Sequence, residues 1–311
     1  MVVTAWLMSD CARIKAIERS AIESERSVGM AAETDLRPSP IAGQWYSADP
    51  RKLAQSVDGY INAAGEIKIS GEILGIIVPH AGHQYSGPVA GYAFSLLSEL
   101  KPEIIAVISP MHHLSPHPIL TADHAGYSTP LGSIEIDHGL IKRLDGFLKD
   151  DLGFGISAVK NDPEHSLEIE LPFLQRTLEP GYKLLPVMVS DPTADVTKAL
   201  GNALAKVLVN SNSLLVASTD LSHFYSQSVA EVLDAEMLNR IEAFDPESVL
   251  RAEQEGKGFA CGRGAVATVL WAARRLGANK VKILKYATSG DITGDYSQVV
   301  GYASAVITRI G

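Results

Sequence analysis

Cysteine is scarce: Cys11 and Cys261 are the only two in a chain of 311 residues. A disulfide framework is not expected, and a reducing, cytoplasmic setting is. Basic charge is also in deficit. Lys and Arg number 27 against 36 Asp and Glu, a net charge of −9, which argues against nucleic-acid binding because that requires a basic face. No apolar run approaches the roughly 20 residues that span a bilayer, so no membrane partner is expected. The opening MVVTAWLMSDCARIK has too short an apolar core, with no basic residue before it, for a secretory signal. Walker, HExxH and GxSxG motifs do not occur, nor does any internal repeat or low-complexity tract.

What is present suits a large globular core, with 46% hydrophobic and 20% charged residues. Residues 1–35 are polar with weak helical spacing and read as a loosely ordered N-terminal extension. The compact domain is expected over 36–311. From Ile73 onward short apolar runs alternate with amphipathic segments. Strands are expected at 73–78, 104–109, 184–189, 214–219, 281–287 and 299–307. Helices are expected at 86–100, 138–149, 166–178, 193–209, 228–244 and 264–277, with short strand-like pieces at 118–137. This alternation predicts a single α/β domain whose central sheet, mostly parallel or mixed, is flanked by helices.

In open α/β sheets, ligands bind outside the carboxyl ends of the strands. Three expected strands end in imidazoles: 73–78 runs into His80 and His83, 104–109 into His112 and His113, and 214–219 into Asp220 and His223. Pro110, Pro116 and Pro118 shape the loop SPMHHLSPHP rather than continue its strand. Two neutral imidazoles and one anionic ligand would suit zinc, copper or iron and leave coordination positions open. A choice between His112 and His113 does not follow from spacing. Cys261 precedes an expected helix, where the helix dipole and Arg263 are expected to lower its thiol pKa. Gly262–Ala267 matches a dinucleotide fingerprint but lacks the strand that should precede it. His165 and Glu168 would share a helix face, as a cap or surface pair. His117, His124 and His138 read as surface or structural residues, and Trp45, Tyr46 and Tyr85 as core or pocket aromatics.

At these residues the chain resembles the Memo family, whose microbial members are also called AmmeMemoRadiSam system protein B. The matching stretches are AGQWY (42–46), VPHAGHQYSGPVA (78–90), SPMHH (109–113), DPEHSLEIELPFL (162–174), STDLSH (218–223), ACGRGA (260–265) and YASAVI (302–307). The resemblance implies a fold like that of class III extradiol dioxygenases. It places metal ligands at His80, His112 and Cys261, with Asp220 and His223 as neighbouring catalytic groups. It also implies a pathway link to a radical-SAM protein and an AMMECR-type protein. A cysteine stands where the dioxygenases use a carboxylate ligand, so ring cleavage does not carry over. His83 replaces the usual tyrosine, and Gly264 stands where many relatives carry histidine. The expected function is a metal-dependent oxidoreductase using Fe(II) or Cu, with Zn as a competitor, on a small-molecule substrate. The alternatives are a non-catalytic protein that binds a peptide or small molecule in the same pocket, and a cysteine-nucleophile enzyme.

Overall fold

The computed structural model describes residues 35–311. The extension expected over 1–35 therefore lies outside the described residues, apart from Asp35. The strands are β1 (Leu36–Arg37), β2 (Glu72–Val78), β3 (Ile104–Pro110), β4 (Ile119–Ala122), β5 (Gly126–Thr129), β6 (Gly132–Glu135), β7 (Ser157–Val159), β8 (Lys183–Val189), β9 (Ser213–Ser218), β10 (His223–Tyr225), β11 (Lys280–Thr288) and β12 (Val299–Arg309). The helices are α1 (Pro50–Ala63), α2 (His83–Phe94), α3 (His138–Leu152), α4 (Leu171–Thr177), α5 (Ala194–Leu208), α6 (Gln227–Glu242), α7 (Pro246–Gln254), α8 (Arg263–Arg275) and α9 (Gly290–Thr293).

Nine strands form one mixed sheet in the order β10-β12-β2-β9-β3-β8-β4-β7, with β11 also on β12. Its centre, β2-β9-β3-β8, is wholly parallel. β12 runs antiparallel to β2, and β4 antiparallel to β8. One layer of helices, α1, α2 and α4, packs together, with α2 against β2 and β12. A second layer, α3, α5, α7 and α8, packs together with α8 against β3 and β9. Coverage of both faces explains why β3 is buried along its whole length and reads as a continuous apolar run.

The parallel register sets the site. Val78 pairs with Ser218, Ile108 with Ala217 and Pro110 with Val189, so the carboxyl ends of four strands stop at one edge. Three helices, α1, α7 and α9, are not picked out by apolar spacing, because α1 buries little and the other two are short. α1 buries Leu53 and Val57 and starts at the capping carboxylate of Asp49, which accepts from the amides of Arg51 and Lys52. α7 is likewise capped by Asp245, which accepts from the Ser248 amide. The helix expected over 166–178 is a 3-10 turn at Glu168–Glu170 followed by α4, since Pro172 fits only the first turn of an α-helix.

Candidate metal centre

β2 delivers His80 into the core, where its amide donates to Asp220 Oδ1 at 2.8 Å. Its Nδ1 lies 2.8 Å from Ser218 Oγ and its Nε2 3.1 Å from Cys261 Sγ. β3 delivers His112, whose amide donates to Glu164 Oε2 at 2.5 Å and whose Nδ1 lies 2.9 Å from Glu164 Oε1. A carboxylate only accepts, so Nδ1 of His112 carries the proton and Nε2 presents a lone pair. Cys261 sits just before α8, with its sulfur accepting the Asp220 amide at 3.3 Å. Gly262 lets this turn press onto the end of β9, where any Cβ would collide with the Ser218 carbonyl. One ligand atom from each of His80, His112 and Cys261 lies within 4.8 Å of the others. The structure thus brings these three together and leaves His113 exposed.

The remaining strand-end residues diverge. His83 is buried in the core, its Nε2 2.9 Å from the Ile169 carbonyl and its ring against Phe173 and Tyr46. Asp220 is buried at the site and anchors the loop after β2 through the amides of His80 and Ala81. His223 lies on β10 against Phe259 and Phe224 and is not among the three convergent ligand atoms. His124 is buried beside Asp35, while His117 is exposed.

Burial dominates the electrostatics. It drives His80 well below the usual imidazole range, helped by His165 and His112. It pushes Asp220 up to about 7, although two backbone amides oppose the shift. The thiol expectation is corrected: burial, with the Asp220 carboxylate, pushes the Cys261 thiol up, not down. Arg263 does not relieve it, because its guanidinium turns to Glu253 at 2.6 Å.

Glu164 and His165 complete the site, and both lie in an irregular segment without periodicity. Glu164 is buried and accepts from the amides of His112, His165 and Ser166 as well as the His112 ring. Burial alone would raise its pKa, but these donors hold it well below the carboxylate range. His165 lies between Trp45 and His112, with ring centroids 4.1 and 4.8 Å away. It is pulled down to about 4 by burial, against the pull of Glu164. His112, Glu164 and His165 also place ligand atoms within 4.8 Å of one another. With four N–H donors already on it, Glu164 serves to orient His112 rather than to bind a second ion. Glu168 does not pair with His165. It accepts from Arg37, Tyr46 and Ser39.

Arg37, 1% exposed, bolts β1 to this segment. Its guanidinium donates to both Asp162 carboxylate oxygens, to Glu168 Oε2, and to the carbonyls of Asp162 and Glu164. A charged residue at the expected domain boundary thus holds the backbone of the residue that orients His112.

A cavity of about 200 Å³ opens beside the site, lined by Met111, His112, Val189, Pro192, Cys261 and Gly264 among others. A Cβ at position 264 would lie 2.8 Å from Pro192 Cβ, so any side chain there would press on Pro192 at the cavity wall. A larger cavity of about 530 Å³ lies beyond Pro192 and Arg263 and contains none of the convergent imidazoles. No helix of the described residues is long and apolar enough to cross a membrane.

A family profile described as Memo-like protein matches residues 37–306. A MEMO1 family protein of Nitrosopumilus maritimus is 33% identical over 273 residues, covering 86% of this chain and 98% of the relative. One from Methanopyrus kandleri is 34% identical over 286 residues, covering 88% and 99%. Among solved structures, an uncharacterized protein from Escherichia coli K12 aligns with 77% of this chain and all of its own, at TM-score 0.46 and 14% identity.

Proposed function

The chain belongs to the Memo-like family, and from that premise we propose a metal-dependent oxidoreductase acting on a small molecule, with one ion held by His80, His112 and Cys261. The observation that carries this reading is the convergence of two imidazoles and a thiol, with both Nδ1 atoms already engaged by acceptors. Each ring then offers Nε2, the arrangement in which outer partners fix the tautomer of a metal-binding histidine. The donor set fits a borderline or soft cation. Thiolate favours copper and zinc, and imidazole also suits iron. A bound Fe(II) or copper ion would supply one-electron chemistry to a substrate in the adjoining cavity.

The chain's own residues do the rest. Cys261 must lose its proton to bind a cation. Because burial raises that thiol, the affinity falls as pH drops and protons compete for the sulfur and imidazoles. Asp220, near 7, exchanges a proton in the neutral range and serves as acid or base beside the ligands. His223 is the second proton-transfer group, kept neutral by burial and by the nearby His112. The small cavity limits the substrate to a compact molecule, and a pathway shared with a radical-SAM and an AMMECR-type protein is the proposed source of it.

Two variants test the assignment. His223→Ala is expected to keep its metal, measured as metal per chain after anaerobic purification, while losing turnover. Loss of the metal in that variant would move His223 into the coordination shell. Glu164→Gln is expected to weaken Zn²⁺ binding by roughly 10–100-fold, as for other outer-shell partners. Unchanged affinity would mean that Glu164 does not orient His112. A non-catalytic binding role, with the imidazoles acting as donors to a ligand, predicts that no metal is retained after purification.

A further inference from the structure

Glu170 is a fully buried acid with no part in the metal chemistry described so far. It is 1% exposed, and among the described residues no cationic side chain bonds to it. Its Oε2 has no partner, and its Oε1 lies 2.8 Å from Ser218 Oγ. An isolated carboxylate in such a place is strongly disfavoured. Burial holds its pKa well above the usual range, and the nearby Asp220 carboxylate adds to the effect.

The surroundings of Ser218 lead to the same protonation state by an independent route. Ser218 Oγ has three neighbours: His80 Nδ1 at 2.8 Å, the Ser166 carbonyl at 2.7 Å and Glu170 Oε1 at 2.8 Å. The hydroxyl has one proton to give, and the Ser166 carbonyl can only accept it. With that proton on the Ser166 carbonyl, His80 Nδ1 and Glu170 Oε1 both donate to Ser218, and Glu170 carries a proton. A unit positive charge arriving at His80 Nε2, one ring and one hydroxyl away, changes this balance.

We propose that Glu170, acting through Ser218, is the charge-compensating group of the cation site, a neutral acid when the site is empty and a carboxylate when it is filled. On ionisation the Glu170 proton leaves to solvent, and the Ser218 hydroxyl turns from the Ser166 carbonyl to Glu170 Oε1. Ser218 still accepts the His80 Nδ1 proton. The result is an imidazole–hydroxyl–carboxylate chain that strengthens His80 as a donor to the cation. The titratable groups facing this chain are Asp220 near Glu170, and Cys261, His112 and His165 beside the His80 ring. Arg37 is engaged by Asp162 and Glu168 instead. Glu170 touches neither the cation nor the substrate, so it is a positioning residue. The inference rests on the proposed cation site.

The test is calorimetric titration of the full chain with Zn²⁺ alone, in buffers of different ionisation enthalpy, for wild type and Glu170→Gln. Gln keeps the shape and can donate to Ser218, but cannot ionise. Wild type is expected to release one more proton per Zn²⁺ than the variant. Its affinity should also fall by roughly one additional factor of ten per pH unit on acidification. Equal proton release from two proteins that both bind Zn²⁺ overturns the role of Glu170 and leaves the cation site standing. Failure of wild type to bind Zn²⁺ stoichiometrically overturns the site itself, and this inference with it. If Glu170→Gln does not fold, infrared spectra of wild type at mildly alkaline pH, where Asp220 is ionised, decide the matter. A protonated-carboxyl band lost on adding Zn²⁺ supports the proposal, and a band that persists contradicts it.

Discussion

Cys261→Ser is expected to bind Fe(II), Cu(I) or Zn²⁺ more weakly by a factor well beyond the roughly 10–100-fold typical of lost outer-shell partners. A buried hydroxyl stays protonated at neutral pH, whereas the thiol, even raised by burial, can yield its proton to an incoming cation. The change removes the only soft and anionic donor of the three and leaves two neutral imidazoles. The fold should not suffer. Gly262 still packs on β9, its amide still donates to Thr219 Oγ1, and the Asp220 amide can donate to a serine oxygen. The thermal transition of the metal-free variant is therefore expected to match that of metal-free wild type. Full metal occupancy in Cys261→Ser would remove the sulfur from the coordination set and leave Cys261 as a nucleophile or a packing residue.

Arg37→Ala has the largest expected effect on stability. The guanidinium is paired with Asp162 at 2.8 Å and Glu168 at 2.6 Å, and all three side chains are at most 3% exposed. Removing one member of a buried ionic group leaves charges without a partner, at a cost of about 3–5 kcal/mol. For a domain of this size that corresponds to a fall in melting temperature on the order of 10 °C. The carbonyls of Asp162 and Glu164 lose their donor as well, so His112 should be held less firmly and Zn²⁺ affinity should drop with stability. Urea unfolding of the metal-free variant checks the first effect. A loss below about 1 kcal/mol, the scale of an exposed ion pair, would show that solvent or a rearranged partner replaces Arg37.

Which of these features the sequence discloses depends on how local their causes are. The parallel centre of the sheet is legible because strands buried on both faces read as unbroken apolar runs, as in IIAVIS at 104–109. His80 and Asp220 follow from that reading, since a residue just past such a run lies at the carboxyl edge, while the choice of His112 over His113 comes from the family resemblance. The polar, Gly-rich stretch between β11 and β12 reads as a connection without a helix and so points to a mixed sheet; the two strands do pair antiparallel, although the stretch holds the four-residue helix α9. Arg37 is not legible. Its partners lie 125 and 131 residues away, and charged residues are rarely fully buried. Glu164 escapes for a related reason: its role arises from donors in two separate segments, with no periodicity to mark it. Cys261 shows how a local rule is overridden. Arg263 is its neighbour in sequence, yet burial governs the thiol, and the charge that adds to the shift is the carboxylate of Asp220, 41 residues away. Helix α1 escapes because its buried face, Leu53 and Val57, is too narrow to make an apolar stripe, and α7 because it is only nine residues long.

The central claim, one cation on two imidazoles and a thiolate, is tested most directly by X-ray absorption at the metal edge of zinc-loaded protein. One sulfur at about 2.3 Å and nitrogen scatterers at about 2.0–2.1 Å are expected. In Cys261→Ser the sulfur shell should vanish. A spectrum of wild type with only nitrogen and oxygen neighbours would contradict the account.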